Sequence, residues 1–371
     1  MKFSINRLIF CKAVTDLSRA VATRSTNPVL EGIYIKSEGE KLKLASYNYE
    51  IGMEKTVEAI KVEEEGKIVI NARLLGEMLR RLDNEVITII SNDKNVCTIE
   101  GRSTVYEING MAADDFPSMP TLENQVTVNI PTEQLKDMVR QTIFAVAVGE
   151  TTRPMMTGEH FEIGENSINV VALDGVRLAL RHENLKGNEE ISFTASAKAI
   201  SEAVKLIGEN DKIISINIGR RFFSLTVDGY TIVSRLMEGE YFDYRQTFKG
   251  DDNTVVKIKT KNVIDIIERI SLLINDQVKT PVRMKIDKDM ITFSCSTVLG
   301  KAFDTCDAEI EGEPMEIGFN ARYLEEALKA TECEEVVLKF STPNTRMMIL
   351  PTNGDNFIYM VMPMRLKESN E

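Results

Sequence analysis

One sequence module recurs six times along the 371 residues of this chain, and that recurrence restricts the fold more than any local motif. Three copies are plain: Asn71 to Leu79, Ser196 to Val204 and Asn320 to Leu328. Each follows a short alternating run: Ile68-Val69-Ile70, Phe193-Thr194-Ala195 and Ile317-Gly318-Phe319. Three weaker copies open at Phe3, Val128 and Val256. With the fourth residue of each copy as marker, the positions are 6, 71, 131, 196, 259 and 320, separated by 65, 60, 65, 63 and 61 residues. A near-constant period means one supersecondary unit built repeatedly, so the chain reads as an array.

Each module predicts a strand, a helix and then several strands. At offsets +4, +7 and +8 from the marker stand Phe10, Ala13 and Val14, then Leu75, Met78 and Leu79, then Leu135, Met138 and Val139, and so on. That spacing gives a helix with one buried face. Asn71 and Ser196 suit the N-cap, where a short side-chain oxygen accepts from an early helix N–H. Runs such as Val86 to Ile90, Ile213 to Ile218 and Val336 to Phe340 are short and β-branched, and Asp228-Gly229 and Asn353-Gly354 mark turns between strands. The expected class is α+β, with helices packed on antiparallel sheets. Pairing the modules gives three domains: 1–122, 123–250 and 251–371. The breaks lie near Asp114 to Pro120, which carries two prolines, and near Gly239 to Tyr244.

The net charge is −12, which argues against a surface that grips nucleic acid everywhere. A basic stripe on an acidic body remains compatible with it. Offset +2 is Arg73, Lys198 and Arg322, and offset +9 is Arg80, Lys205 and Lys329. Seven residues make about two helical turns, so each pair projects from one face. The weaker copies add Lys12, Arg19, Lys136, Arg140, Lys261 and Arg269. The bland alternative is surface pairing with the +6 acids Glu77, Glu202 and Glu326, three residues before the +9 bases. Recurrence at fixed offsets favours a shared positive surface. Such bases would meet phosphates, which position a protein without reading sequence.

Catalytic signals are weak. Asp174-Gly175 reads as a hairpin turn. Asp114-Asp115 and Asp251-Asp252 sit in linkers without metal-ligand spacing. His160 and His182 have no nucleophile arranged beside them, and no phosphate-binding glycine loop occurs. No cofactor or metal is expected. Cys11, Cys97, Cys295, Cys306 and Cys333 form no close pair, which suits a reducing cytosol. The N-terminus does not read as a secretion signal, and no apolar run reaches membrane-spanning length. Near the C-terminus, Met360-Val361-Met362-Pro363-Met364 clusters flexible thioethers, suiting either a surface that repacks around several partners or a Met-rich core strand.

Several stretches carry a family resemblance: Asn27 to Leu30, Ala113 to Pro117, Asp174 to Ala179, Gly239 to Arg245, Met315 to Asn320 and Met362 to Leu366. In order and spacing the chain resembles the bacterial DNA polymerase III β subunits, the replicative sliding clamps, over essentially its full length. The resemblance implies a head-to-tail homodimeric ring of six similar domains, helices inside and sheets outside. Double-stranded DNA would pass through without sequence preference, so the basic residues named above would line the hole, joined by Arg24.

The resemblance further implies a pocket for short peptides of the replicative polymerase, the clamp loader and repair proteins. It maps onto Met156, Leu173, Gly175, Val176, Arg177 and Leu178. Phe242, Thr247 and Tyr323 follow, with Met362, Pro363, Met364 and Arg365 as the last wall. Val176 stands where a His is frequent and Phe242 where a Pro is frequent, both making the pocket more apolar. The tail Lys367 to Glu371 runs past the usual end and would shade the site. The ring seam would lie at Tyr106 and Ile108 on one edge and at Leu272 and Leu273 on the other. The expected function is a non-catalytic processivity clamp in the cytoplasm. The alternatives are a repeat-built scaffold that binds only proteins, or an enzyme with a site in the linkers.

Overall fold

The structure, a computed structural model, describes the chain apart from residues 124, 150–152, 188, 209–211, 275–279 and 367–371, so the tail Lys367 to Glu371 lies outside the described residues. Six helices occur among the described residues: α1 (Arg7–Leu17), α2 (Ala72–Arg81), α3 (Thr132–Thr142), α4 (Ala197–Lys205), α5 (Thr260–Ser271) and α6 (Ala321–Thr331). Each is preceded by a strand and followed by at least three, so the chain is six β-α-β-β-β modules of α+β type, with two short extra strands at Lys61–Glu64 and Glu309–Gly312.

The periodicity decides which helical face is inside. Of the residues at offsets +4, +7 and +8, all but Met78 and Val204 are buried. Asparagine starts three helices. Asn6 Oδ1 accepts from Leu8 N at 3.0 Å, Asn71 Oδ1 from Leu74 N at 3.1 Å, and Asn320 Oδ1 from Tyr323 N at 3.2 Å. Each satisfies a helix N–H that has no partner within the helix. Ser196 directly precedes α4.

The chain divides into two compact units, and its middle third contributes to both. The first comprises residues 1–132 and 198–236. It holds a five-stranded sheet whose outer edges are Lys61–Glu64 and Val105–Asn109, and an eight-stranded sheet from Val126–Pro131 to Gly66–Asn71. In the eight-stranded sheet Tyr230–Arg235 pairs antiparallel with Ile51–Glu58, with Ser234 opposite Ile51. Helix α1 is tied to the 198–236 segment by Lys12–Asp228 at 2.9 Å and Arg19–Glu202 at 2.8 Å.

The second unit comprises residues 133–197 and 237–371. Its four-stranded sheet ends in the edge strand Gly300–Asp307. Its nine-stranded sheet runs from Ile191–Ser196 to Glu309–Gly312. In the middle of that sheet the last strand, Phe357–Val361, pairs with Arg177–Asn184, placing Arg177 opposite Val361 and Leu178 opposite Met360. One core accordingly gathers Ala145, Ala172 and Ala179 with Val263, Ile267, Leu324, Leu328 and Tyr359.

Candidate functional sites

In the second unit, the join between the last strand and the Arg177 strand shapes a cavity of about 430 Å³. Its lining includes Met156, Leu173, Gly175, Arg177, Leu178, Phe242, Thr247 and Met362, eight of the residues proposed from sequence. Arg153, Lys249, Asn344, Thr345, Arg346 and Met360 line it too, and sequence reasoning missed them. Met360 was within reach of it, because residues two apart on a strand share a face and Met362 was already named. The other five came without periodicity, from turns and loops.

The remaining proposed pocket residues lie beside the cavity. Val176, 41% exposed, caps the hairpin, and its carbonyl accepts from Met362 N at 2.8 Å. Tyr323 stacks beneath the Arg177 guanidinium at 4.1 Å. Pro363 leads away from the sheet, and Met364 N donates to Gly318 O at 2.8 Å. Arg365 is exposed.

Local chemistry builds the walls. Asp174 Oδ1 accepts from Val176 N at 2.9 Å and Arg177 N at 2.7 Å, which folds the hairpin. Gly175, at φ 93°, takes the left-handed position such a turn requires. Asp174 Oδ2 accepts from Arg177 Nε at 3.0 Å, and Glu326 of α6 pairs with Arg177 Nη1. The guanidinium is therefore fixed at the cavity wall by two carboxylates and Tyr323.

The opposite wall is the segment around Phe242. Tyr244 is buried and its hydroxyl donates to Glu162 Oε2 at 2.8 Å. Arg245 donates to both Glu162 oxygens at 3.0 and 2.5 Å, and Tyr241 stacks on His160 at 4.3 Å. Burial pushes the Glu162 carboxyl up, but bonds from Arg245, Tyr244 and Asn169 outweigh it and leave the pKa lowered. Burial lowers the His160 pKa, so its ring tends to be neutral. Both histidines serve this anchoring network: His160 Nδ1 bonds Thr194 Oγ1 at 2.9 Å and His182 Nδ1 bonds Asn169 Oδ1 at 2.7 Å. The result is an apolar cleft of methionine, leucine and phenylalanine with cationic groups at its rim. It suits a short peptide carrying apolar side chains and an acidic group.

The helical bases are exposed, apart from Lys136 and Arg19, which are half-buried. Arg73, Lys261 and Arg322 are 89%, 82% and 71% exposed. Of the expected +6/+9 pairs, only Glu202–Lys205 forms, at 2.7 Å. Glu77 instead holds Arg73 at 3.2 Å, and Glu326 holds Arg322 at 2.8 Å, four residues back in both cases. Lys329 turns to Glu325 at 2.6 Å and Glu268 at 2.7 Å. Lys136 meets Glu133 at 3.0 Å, Arg140 meets Asp137 and Glu332 at 2.7 Å each, and Lys261 meets Asp265 at 2.8 Å. Arg269 meets Asp304 at 2.6 Å. Arg24, Arg80 and Lys198 are exposed without an ion-pair partner among the described residues. Exposed pairs of this kind contribute at most about 1 kcal/mol each, so a phosphate can displace the carboxylate cheaply.

Two sheet edges carry exposed apolar groups. Tyr106 and Ile108 lie on the edge strand Val105–Asn109, half-buried, beside Val105 at 63% exposure. Leu272, just past α5, is 82% exposed while Leu273 packs on the core; Phe303, on the edge strand Gly300–Asp307, is exposed. Of the linker acids, Asp114 pairs with Lys67, and Asp252 lies 3.5 Å from Lys339.

Three family models match the chain in order: the N-terminal domain of the DNA polymerase III beta subunit over residues 1–120, the central domain over 129–243 and the C-terminal domain over 245–365. The chain is 29% identical to the beta sliding clamp of Halalkalibacterium halodurans over 98% of its length and 100% of that protein. With the Bacillus subtilis beta sliding clamp it shares 28% identity over 98% and 100%. The crystal structure of a putative DNA polymerase III beta subunit from Eubacterium rectale superposes with a TM-score of 0.92 at 31% identity, covering 98% of this chain and 99% of that one. The Bacillus subtilis DNA polymerase sliding clamp superposes with a TM-score of 0.94 at 28% identity, covering 99% and 100%. With six β-α-β-β-β modules matched end to end by all three domain models, the chain belongs to the bacterial DNA polymerase III β subunit family, the DNA sliding clamps.

Proposed function

We propose that two copies of this chain close head to tail into a ring around duplex DNA and tether the replicative polymerase to it. The observation that carries this reading is the recurrence of solvent-exposed bases on the repeated helices of an acidic chain. Exchange of weak carboxylate pairs for phosphates attracts duplex DNA without sequence preference, and weak contacts permit sliding. Persistence then comes from topology rather than tight binding, and no chemical step is required of the protein.

The three-domain division, 1–122, 123–250 and 251–371, is supported by the spans of the three family models. Head-to-tail closure is favoured by two unlike edges. One carries Tyr106 and Ile108; the other carries Phe303, with Leu272 and Leu273 just past α5, which is tied to the same strand by Arg269–Asp304. A contact between different edges makes a closed ring only when the rotation suits, and three domains per chain then ask for two chains. The cleft beside Arg177 is the docking place for short peptides of the polymerase, the clamp loader and repair proteins, which compete for it.

Retention on nicked circular DNA tests encirclement. Protein placed by the clamp loader should stay on the circle and leave within seconds to minutes after the circle is cut. Equal departure from circular and linear DNA would refute it.

A further inference from the structure

A cluster of arginines and aromatic rings lies at one end of the eight-stranded sheet in the first unit. Four neighbouring strand ends build it. Phe222 pairs with Arg235, Ser234 with Ile51, and Tyr47 with Gly52. Arg235 N donates to Glu50 O at 3.2 Å, and Leu236 N donates to Arg221 O at 2.8 Å. At about 4.8 Å between strands, the cluster spans about 10–15 Å.

Arg220, Arg221 and Arg235 are all exposed, and none has a carboxylate partner among the described residues. Arg24, Arg80 and Lys198 share that state, but here three such arginines meet at adjoining strand ends; Lys43 and Lys55 of the same sheet are each within ion-pair reach of an acid. Two acids lie nearby: Glu238, three residues after Arg235, and Glu50, in the facing turn; neither forms an ion pair with the three arginines. The Arg235 guanidinium lies over the Phe222 ring at 5.8 Å, and Tyr47 meets Tyr49 edge to face at 5.5 Å. Tyr49 is 55% exposed at φ 71°, a left-handed backbone uncommon for an aromatic residue. The turn imposes it: Asn48 Oδ1 accepts from Glu50 N at 3.0 Å and Ile51 N at 2.9 Å, fixing the loop and presenting the ring to solvent.

We propose that this surface binds unpaired, single-stranded DNA. Guanidinium groups match phosphate oxygens in a planar fork. An exposed ring stacks only on a base that is outside a duplex, and such stacking tolerates any sequence. The inference rests on the clamp reading only for the supply of DNA.

The test uses the full-length chain, a fluorescent oligothymidylate and a blunt duplex of equal length, with affinities read by anisotropy at several salt concentrations. Arg220→Ala/Arg221→Ala/Arg235→Ala should weaken single-strand binding at least about tenfold and flatten its salt dependence. Tyr49→Asn, which keeps the left-handed backbone accessible, should weaken it about fivefold without changing the salt slope. Both variants should remain on nicked circles like the unmodified protein. Unchanged single-strand affinity in the triple variant, equal losses for duplex and single strand, or displacement by polyglutamate as effective as by oligothymidylate would each overturn the proposal. Failure of the unmodified protein to stay on nicked circles would sink the clamp reading instead, whatever the oligothymidylate affinity.

Discussion

Arg177 is 6% exposed at the side chain, between Asp174, Glu326 and the rings of Tyr323 and Phe144. A planar fork can serve two carboxylates while stacking on an aromatic face; an ammonium cannot do all three. Arg177→Lys should therefore weaken a labelled peptide from the cognate polymerase about tenfold or more in an anisotropy titration, with the dimer intact by sizing. Unaltered affinity would mean that the guanidinium only supports the fold. Glu159 makes a different statement. It is fully buried, and burial pushes its carboxyl up to about 8 from an ordinary 4.5. Its Oε1 lies 2.6 Å from the Thr142 hydroxyl, which also lies 2.8 Å from the Met138 carbonyl. One hydroxyl hydrogen cannot serve both, and a protonated Glu159 resolves the conflict by donating. The folded chain then holds a proton that the unfolded chain has lost between about pH 4.5 and 8, so this group erodes stability as pH rises through that window. Glu159→Gln should flatten the fall in melting temperature from pH 5 to 8; parallel curves for the two proteins would remove the explanation. At this scale sequence and structure part company by register. Leu178, Phe242 and Met362 were legible as apolar residues in family motifs, whereas Arg153, Lys249 and Asn344 to Arg346 sit on irregular backbone that no period marks.

The helices were the most legible elements, because the same three offsets are apolar in every copy and one face of each helix must be covered. Which acid each base meets was not legible. Offsets +6 and +9 are three apart and +2 and +6 are four apart, both within helical reach. Residues outside the helix also join these pairs: Arg177 reaches Glu326, Arg19 reaches Glu202, and Glu268 reaches Lys329. Charge on the helices should govern loading rather than peptide capture. Reversal of both Arg73 and Lys198 to Glu should slow loader-driven assembly on DNA several-fold while leaving peptide affinity within about twofold, since neither residue lines the cleft. A larger effect on the peptide than on loading would count against a positive lining.

For the whole molecule, the six-fold array was readable from spacing, but the way strands join was not. Nothing in the sequence of Phe357–Val361 says that it pairs with Arg177–Asn184, some 180 residues earlier. Pairing partners are set by complementary faces and edges rather than by adjacency in the chain. At the proposed seam, Leu272→Lys would put a charge where an apolar contact is expected. Sizing by light scattering should then show monomers at concentrations where the parent is dimeric, with the melting of the isolated chain little changed because Leu272 is solvated there. A dimer unaffected by that change would move the seam elsewhere.

The place of the last strand also has a consequence for biosynthesis. Phe357–Val361 is fifth in the order of a nine-stranded sheet, with four strands to each side. All the flanking strands precede it in the chain, so the centre of the sheet stays open until Phe357–Val361 itself has emerged from the ribosome. The cleft borrows Met360 and Met362 from that late strand and its exit. A nascent chain whose Phe357–Val361 strand has not yet emerged therefore has no finished cleft, and peptide capture waits for that strand to pair.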